Sequence, residues 1–157
     1  MRYNVLKTSL IATGMVMAVT TGSWAVDGGD ATKGESVFKR CMSCHMVGDD
    51  AKNKVGPVLN NVFGRAAGTF EGYKYGKSIV AAGEASLVWD ANEIFEYLGD
   101  PKKYLRAKLE DKKAKSKMSF KLKKEEDRKD VIAYLKTFSA ESEAAEDETS
   151  EESSTTN

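Results

Sequence analysis

The sequence has few of the residues that build metal or disulfide scaffolds: two cysteines, one histidine and two prolines in 157 residues. A structural zinc site needs about four Cys or His ligands, so this inventory excludes one. No apolar run approaches the ~20 residues needed to span a bilayer, so we expect no stable membrane insertion. No stretch alternates apolar and polar residues long enough to predict a half-buried strand. We therefore expect one all-α domain.

Charges are segregated along the chain, although 24 basic and 24 acidic side chains give a formal net charge of zero. Residues 1–25 combine Arg2 and Lys7 with a short apolar run and end in small residues, which predicts a cleaved export signal. An uncleaved membrane anchor is the alternative. Residues 141–157 contain seven acidic and no basic residues, which predicts a disordered tail. The domain is then residues 26–140, with a net charge of +5.

Capping signals predict about four to five helices. Asp30, Asp90 and Asp100 are good N-caps, and each precedes apolar residues at helical spacing. The first helix is expected to carry Phe38 and Cys41 on one face. A last helix should start near residue 125, where three acids suit the positive end of the helix dipole.

Residues 47–90 are rich in Gly, Lys and Asn, and we expect them to form long loops. A loop of this length is unusual inside a compact domain unless something other than protein fills the interior. A prosthetic group would do so.

Cys41-Met42-Ser43-Cys44-His45 has the spacing of a covalent haem attachment motif. Residues three apart lie on one face of a helical turn, so both thiols can reach two vinyl groups along one haem edge. The next residue then brings an imidazole to the iron. The motif predicts one haem c, bound through Cys41 and Cys44 and ligated by His45.

Two other readings of the cysteine pair are weaker. A thioredoxin-like redox pair needs a βαβ context, and the sequence shows no such pattern. A plain disulfide suits an exported protein, but it gives no reason for the only histidine to follow the second cysteine.

A second iron ligand can be argued by elimination. After export the chain keeps three methionines, and Met42 and Met46 flank the attachment turn on the histidine side. Met118 is the only distant one, and its polar neighbours argue against the alternative role of a core gap-filler. A His/Met pair raises the reduction potential and leaves no open position for a substrate, which favours electron carriage over catalysis.

Residues 28–139 resemble a class I cytochrome c, closest to the larger bacterial cytochrome c2 and c-550 type. The resemblance implies a small all-α cytochrome c fold of four to five helices and long loops around one covalent haem. The matching segments are Cys41 to His45, Gly56-Pro57-Val58-Leu59, Gly64-Arg65-Ala66-Ala67-Gly68, Tyr75, Trp89, Tyr97-Leu98, Asp100-Pro101-Lys102-Lys103-Tyr104, Lys117-Met118-Ser119-Phe120 and Ile132-Ala133-Tyr134-Leu135.

The resemblance also implies residue roles. The Pro57 carbonyl would accept from the ring N–H of His45 and strengthen it as a ligand. Tyr97 would lie near the Met118 sulfur. For Tyr75, Trp89 and Tyr97, the alternative role is simple packing of an aromatic side chain in the core. Three residues would hydrogen-bond the haem propionates: Arg65, Tyr75 and Trp89.

Gly34 and Phe38 would meet Val131 and Tyr134 where the first and last helices cross.

Two features depart from the family pattern. The segment between residues 105 and 115 is longer than in the smallest members, as in the larger bacterial forms. The acidic tail is not shared, so the resemblance assigns it no function.

The expected function is that of a periplasmic, monomeric carrier of single electrons between membrane complexes, from a cytochrome bc complex to a terminal oxidase or photosynthetic reaction centre. No nucleic acid partner is expected. The alternatives are a haem enzyme or small-ligand sensor with a labile methionine, and a haem subunit serving a dehydrogenase. Docking would use a lysine-rich haem edge: Lys102, Lys103, Lys112, Lys113, Lys115, Lys117, Lys121, Lys123 and Lys124.

Overall fold

A computed structural model describes residue 26 and residues 28–139 of the chain. This part contains five helices: α1 (Ala31–Phe38), α2 (Lys77–Glu84), α3 (Ala91–Gly99), α4 (Pro101–Lys108) and α5 (Glu125–Lys136). Its only β-pairing is an isolated antiparallel bridge between Ala66 and Val88. The expected all-α fold is confirmed. Within the described residues, no helix is long and apolar enough to cross a membrane. The expected signal and tail lie outside them.

Three helices begin where capping chemistry predicts. The Asp30 carboxylate accepts from the backbone N–H groups of Thr32 and Lys33, and starts α1. Asp90 accepts from the N–H of Glu93 at 2.7 Å to start α3, and Asp100 plays the same part for α4. Each carboxylate satisfies a donor that the first helical turn leaves unpaired.

Helix α1 ends earlier than expected, because Cys41 lies in the turns that follow it. The backbone N–H of Cys41 donates to the Phe38 carbonyl at 2.7 Å, and the N–H groups of Cys44 and His45 both donate to the Cys41 carbonyl at 2.9 Å. The motif is therefore held by a run of tight turns rather than by the helix itself.

Helix α2 corrects the expectation of an uninterrupted loop over residues 47–90. Gly76 precedes it and offers no side-chain cap, so the usual start signal is missing. Packing stabilises the helix instead. Ala82 is buried, and a Cβ on Gly83 would lie 1.9 Å from the Ala67 carbonyl oxygen. The backbone of α2 thus lies directly against the chain near Ala67.

The crossing of α1 and α5 closes the fold. Gly34 lies so close to α5 that a Cβ there would be 2.0 Å from the Asp130 carbonyl oxygen and 2.8 Å from the Tyr134 Cβ. The rings of Phe38 and Tyr134 are 5.3 Å apart, and Phe38 packs in one cluster with Val131. The contact expected for these four residues is confirmed.

Two apolar clusters make up the core. One combines Phe38, Val131 and Leu135 with Leu122, and so joins α1 to α5. The other surrounds Trp89 and joins α2, α3 and α4 to the loops around them, with one member, Ile132, on α5. Side chains from both clusters line one cavity, which they bring into the middle of the fold.

Gly34→Ala should lower the free energy of unfolding by about 1–3 kcal/mol, because the added methyl must push α1 away from the α5 backbone. Chemical denaturation of the holoprotein measures this. Ser36→Ala is the matched control, because Ser36 is exposed on the same helix and does not line the cavity. Equal losses in the two variants would show that the α1–α5 contact is not what limits the size of residue 34.

Candidate functional site

The cysteine turn and the expected distal methionine meet at one cavity of about 310 Å³. This volume lies at the lower end of the range for small-molecule and cofactor pockets, about 300–1,000 Å³. Cys41, Cys44, His45 and Met118 all line it, while Met42 and Met46 do not. The structure thus brings together the four residues expected to attach and ligate the haem.

The two thiols are not joined to each other, and both are half-buried at the cavity. Burial raises the pKa of the Cys41 thiol more than the nearby Arg40 lowers it. The thiol is therefore neutral at ordinary pH. Arg40 also lines the cavity and forms an ion pair with Asp127, a contact that joins the turn after α1 to α5.

The His45 imidazole is oriented from two sides. Its Nδ1 lies 2.8 Å from the Pro57 carbonyl oxygen, which can only accept, so Nδ1 carries the proton. Nε2 has no hydrogen-bond partner within the described part of the chain and is left as a lone-pair donor. Burial lowers the pKa of His45, and the Pro57 contact only partly offsets this, so the ring is neutral.

Gly56 packs against the face of this imidazole. A Cβ at that position would lie 2.4 Å from the His45 Cε1 atom, so the site has no room for a larger residue. The Gly56 N–H donates to the Cys44 carbonyl at 2.8 Å, which joins the loop to the motif. Sequence reasoning gave Gly56 no role. Its position directly before Pro57 was the signal available.

The aromatic residues expected near the cofactor divide into two groups. Trp89 and Tyr97 line the cavity with their rings 5.1 Å apart, edge to face. The Tyr97 hydroxyl is 3.3 Å from Ser116 Oγ, two residues before Met118. Burial raises the pKa of Tyr97, so its phenol keeps its proton. Sequence reasoning missed Ser116, whose only signal was its position near the methionine.

The second aromatic group at the cavity consists of Tyr75 and Tyr73, whose rings meet edge to face with their centres 4.7 Å apart. Burial raises the pKa of the Tyr75 phenol, and the charge of Arg65 opposes this. The Tyr73 hydroxyl donates to the Val55 carbonyl at 2.6 Å, so this group ties the loop at residue 73 to the loop at residue 55.

Arg65 is the one expected site residue that does not line the cavity. Its guanidinium donates to the carbonyls of Asn60 and Val58 at 3.1 and 3.3 Å and lies over the Phe70 ring. Burial lowers the pKa of Arg65, and the nearby Tyr75 opposes this. The side chain therefore holds the loop at residues 58–60 through its carbonyls. Its charge acts electrostatically on Tyr75, which does line the cavity.

The lysine-rich surface lies at varied distances from the cavity. Of its nine lysines, only Lys115 and Lys117 line the cavity. Lys121 is paired with Asp100 at 2.6 Å, which cancels one charge. Lys117 donates to the Lys74 carbonyl and lies over the Tyr73 ring. The lysines near the cavity are thus partly engaged, and those on α4, Lys102 and Lys103, do not line it.

These features fit a haem. The pocket walls are mostly apolar, two thiols stand in attachment order, and an oriented imidazole offers Nε2. A thioether lines the same space. Among the described residues, no group of three or more His, Cys, Asp or Glu side chains could hold a metal ion by itself. The donor set therefore suits iron within a macrocycle rather than a bare ion.

Comparisons with known proteins agree with this chemistry. The protein-family model for cytochrome c matches residues 31–139. Cytochrome c2 iso-1 of Rhodospirillum centenum is 54% identical over 117 residues, covering 71% of this chain and 98% of that protein. Cytochrome c-551 of Roseobacter denitrificans is 47% identical over 120 residues, covering 73% and 84%.

Solved structures give the same result at the level of the fold. The structure of cytochrome c2 from Rhodospirillum centenum aligns with a TM-score of 0.69 at 53% identity. The alignment covers 71% of this chain and 99% of that one. This chain therefore belongs to the cytochrome c family, and it is an electron carrier with one covalently attached haem c.

Proposed function

We propose that this cytochrome c is a periplasmic carrier that moves single electrons between membrane redox complexes, with His45 and Met118 as the iron ligands. The observation that carries the proposal is the shared cavity, where both thiols, the oriented imidazole and the distant thioether converge. Relatives named cytochrome c2 support the carrier role. Export of residues 26–157 after cleavage at Ala25 would place the carrier in the periplasm.

Each residue has a distinct part in holding the cofactor. The Cys41 and Cys44 thiols would hold the haem by adding across its two vinyl groups, each forming a C–S bond while its proton goes to the neighbouring carbon. His45 would donate its Nε2 lone pair to the iron. Its Nδ1–H would keep donating a hydrogen bond to the Pro57 carbonyl, which makes the imidazole a stronger ligand. Met118 would donate a lone pair of its thioether sulfur to the iron. The haem supplies the iron that gains and loses the electron.

The remaining cavity residues control the environment of the electron. Apolar walls exclude water, so little solvent has to reorganise when the charge changes. Trp89 and Tyr75, which line the cavity, would donate hydrogen bonds to the propionates, and the charge of Arg65 would act on Tyr75. Tyr97 and Ser116 form a polar pair that lines the same cavity as Met118, and they would tune its sulfur.

Docking is proposed to use the basic surface between α4 and α5. Lys115 and Lys117 are at the cavity, where an electron would leave, and Lys112 and Lys113 are close in sequence. Such a surface steers a carrier toward acidic patches on a cytochrome bc complex and on an oxidase or reaction centre. The acidic tail, residues 141–157, would weaken that field.

Covalent attachment predicts that acid-acetone extraction leaves the colour with the polypeptide. Cys41→Ser combined with Cys44→Ser should lose the covalent haem and leave most of the chain unfolded, because the cofactor stabilises only the folded state. Mass spectrometry and circular dichroism measure the two effects. Met42→Leu changes an exposed neighbour outside the cavity and should behave as wild type. Free extraction of haem from the wild type would show that no thioethers form.

Methionine ligation predicts a weak far-red absorption band in the oxidised protein. Met118→Ala should abolish the band completely and lower the reduction potential, since a thioether favours reduced iron. Spectroscopy and redox titration provide the measurements. Met46→Leu is the matched control, because Met46 does not line the cavity. A band that persists in Met118→Ala would assign the ligand elsewhere.

Truncation after Ala140 should leave the fold and spectrum unchanged and speed the low-salt reaction with an acidic redox partner by up to about tenfold. The gain should fade as the Debye length shrinks to about 8 Å at physiological ionic strength. Stopped-flow rates across a salt series decide the matter. A full-length variant with the seven tail acids changed to amides separates charge from length. Identical salt slopes in all three proteins would remove the tail from the docking step.

A further inference from the structure

The segment that carries Met118 has no helix of its own. From residue 109 to residue 124 the chain runs between α4 and α5 without regular structure. A ligand on such a segment stays at the cavity only if other contacts hold the backbone in place. Side chains such as Tyr97, which bonds Ser116, contact the segment between its ends. Two arginine side chains bond its backbone, one at each end of residues 114–123.

Arg128 of α5 holds the far end. Its Nη1 donates to the carbonyls of Leu122 and Lys123, both at 3.0 Å, while the Leu122 N–H donates to the Leu98 carbonyl at 2.8 Å. Leu122 itself is 1% exposed. Since hydrogen bonds from an ionised donor are stronger than neutral ones, Arg128 is well suited to fix this point.

The setting of Arg128 is costly for a cation. The residue is 9% exposed, and its Nε has no hydrogen-bond partner within the described part of the chain. Its guanidinium lies 4.1 Å from the centre of the Phe95 ring, and its Nη2 lies 3.8 Å from the exposed Glu125 carboxylate. Both contacts offset part of that cost. An apolar side chain would avoid the unpaired donor. What such a side chain could not provide is the pair of bonds to the two carbonyls.

Arg106 of α4 holds the near end. Its Nε donates to the Ala114 carbonyl at 3.2 Å, and Ala114 is 2% exposed. The next N–H, that of Lys115, donates to Ser78 Oγ on α2 at 3.0 Å. These contacts define the path through the segment between residues 105 and 115, which is longer than in the smallest family members.

We propose that Arg106 and Arg128 are positioning residues that keep Met118 at the cavity by holding the backbone on both sides of it. The inference rests on the proposed role of Met118 as an iron ligand. Loss of either arginine loosens one end of the segment, where the Lys115–Ser78 or the Leu122–Leu98 bond remains, and makes the methionine easier to displace. The effect is local, so it appears in ligand exchange and in the potential as well as in overall stability.

Imidazole titration of the oxidised, full-length holoprotein measures displacement of the methionine directly. Arg106→Met and Arg128→Lys should each bind imidazole about tenfold more tightly than wild type, since each loses a charge-assisted bond. Arg128→Lys keeps the charge, but its ammonium lies one bond short of Nη1, the single nitrogen that donates to both carbonyls. Both variants should also show a lower reduction potential. Arg128→Met should raise imidazole affinity more than Arg128→Lys does. If Arg128→Met does not fold, Arg106→Met and Arg128→Lys still test the proposal.

Two controls separate positioning from general destabilisation. Lys108→Met removes a cation from the same helix as Arg106, but one that bonds Glu93 rather than the methionine segment. Ile132→Val trims a fully buried side chain on the same helix as Arg128. Both controls should lower the melting temperature and keep wild-type imidazole affinity. An equal rise in affinity in the controls would overturn the inference.

The two proposals fail in different ways. If Met118→Ala keeps the far-red band, methionine ligation is wrong and the positioning role falls with it. If Met118→Ala loses the band while both arginine variants bind imidazole as wild type does, ligation stands and only the positioning role is overturned.

Discussion

A hydrogen bond from His45 Nδ1 to the Pro57 carbonyl joins the attachment turn to the loop that follows it. Because the carbonyl oxygen cannot donate, this one contact fixes the tautomer and leaves Nε2 as the lone-pair donor. The Gly56 N–H bond to Cys44 and the Tyr73 bond to Val55 extend the connection outward. Loops that have no regular structure are thereby ordered around one ring.

The interior of the fold is shared between protein and cofactor. Two apolar clusters flank the cavity, and neither would be closed by side chains alone. This arrangement explains why five short helices suffice for the domain. It also explains why the connections are held by side-chain bonds to carbonyls, as with Arg65, Arg106 and Arg128, because long loops leave many backbone acceptors without partners.

Much of the fold follows from local chemistry that a sequence displays. Asp30, Asp90 and Asp100 cap helices because their carboxylates reach N–H groups only two or three residues away. Helix α2 was missed because Gly76 gives no cap and its stability comes from distant packing against Ala67. A sequence does not reveal contacts of that range.

The site shows the same division. The position of the cysteine turn at the cavity could be predicted because its three functional residues lie within five positions. The position of Met118 at the same cavity could be predicted by elimination from a small inventory. The direction of the Arg65 side chain could not be predicted from the sequence, because a long flexible side chain can turn toward the cavity or toward backbone carbonyls. Nor could the lysines be sorted, because sequence proximity does not tell which of them line the cavity.

The contact between Gly56 and the imidazole restricts which residues natural variation can place there. The Gly56 backbone does not adopt a left-handed conformation, so its φ and ψ alone would admit other amino acids. The limit is steric and comes from a side chain eleven positions earlier. A deep mutational scan should therefore deplete every substitution at Gly56, alanine included. A sequence-design procedure guided only by backbone torsions would replace this glycine and displace the ring.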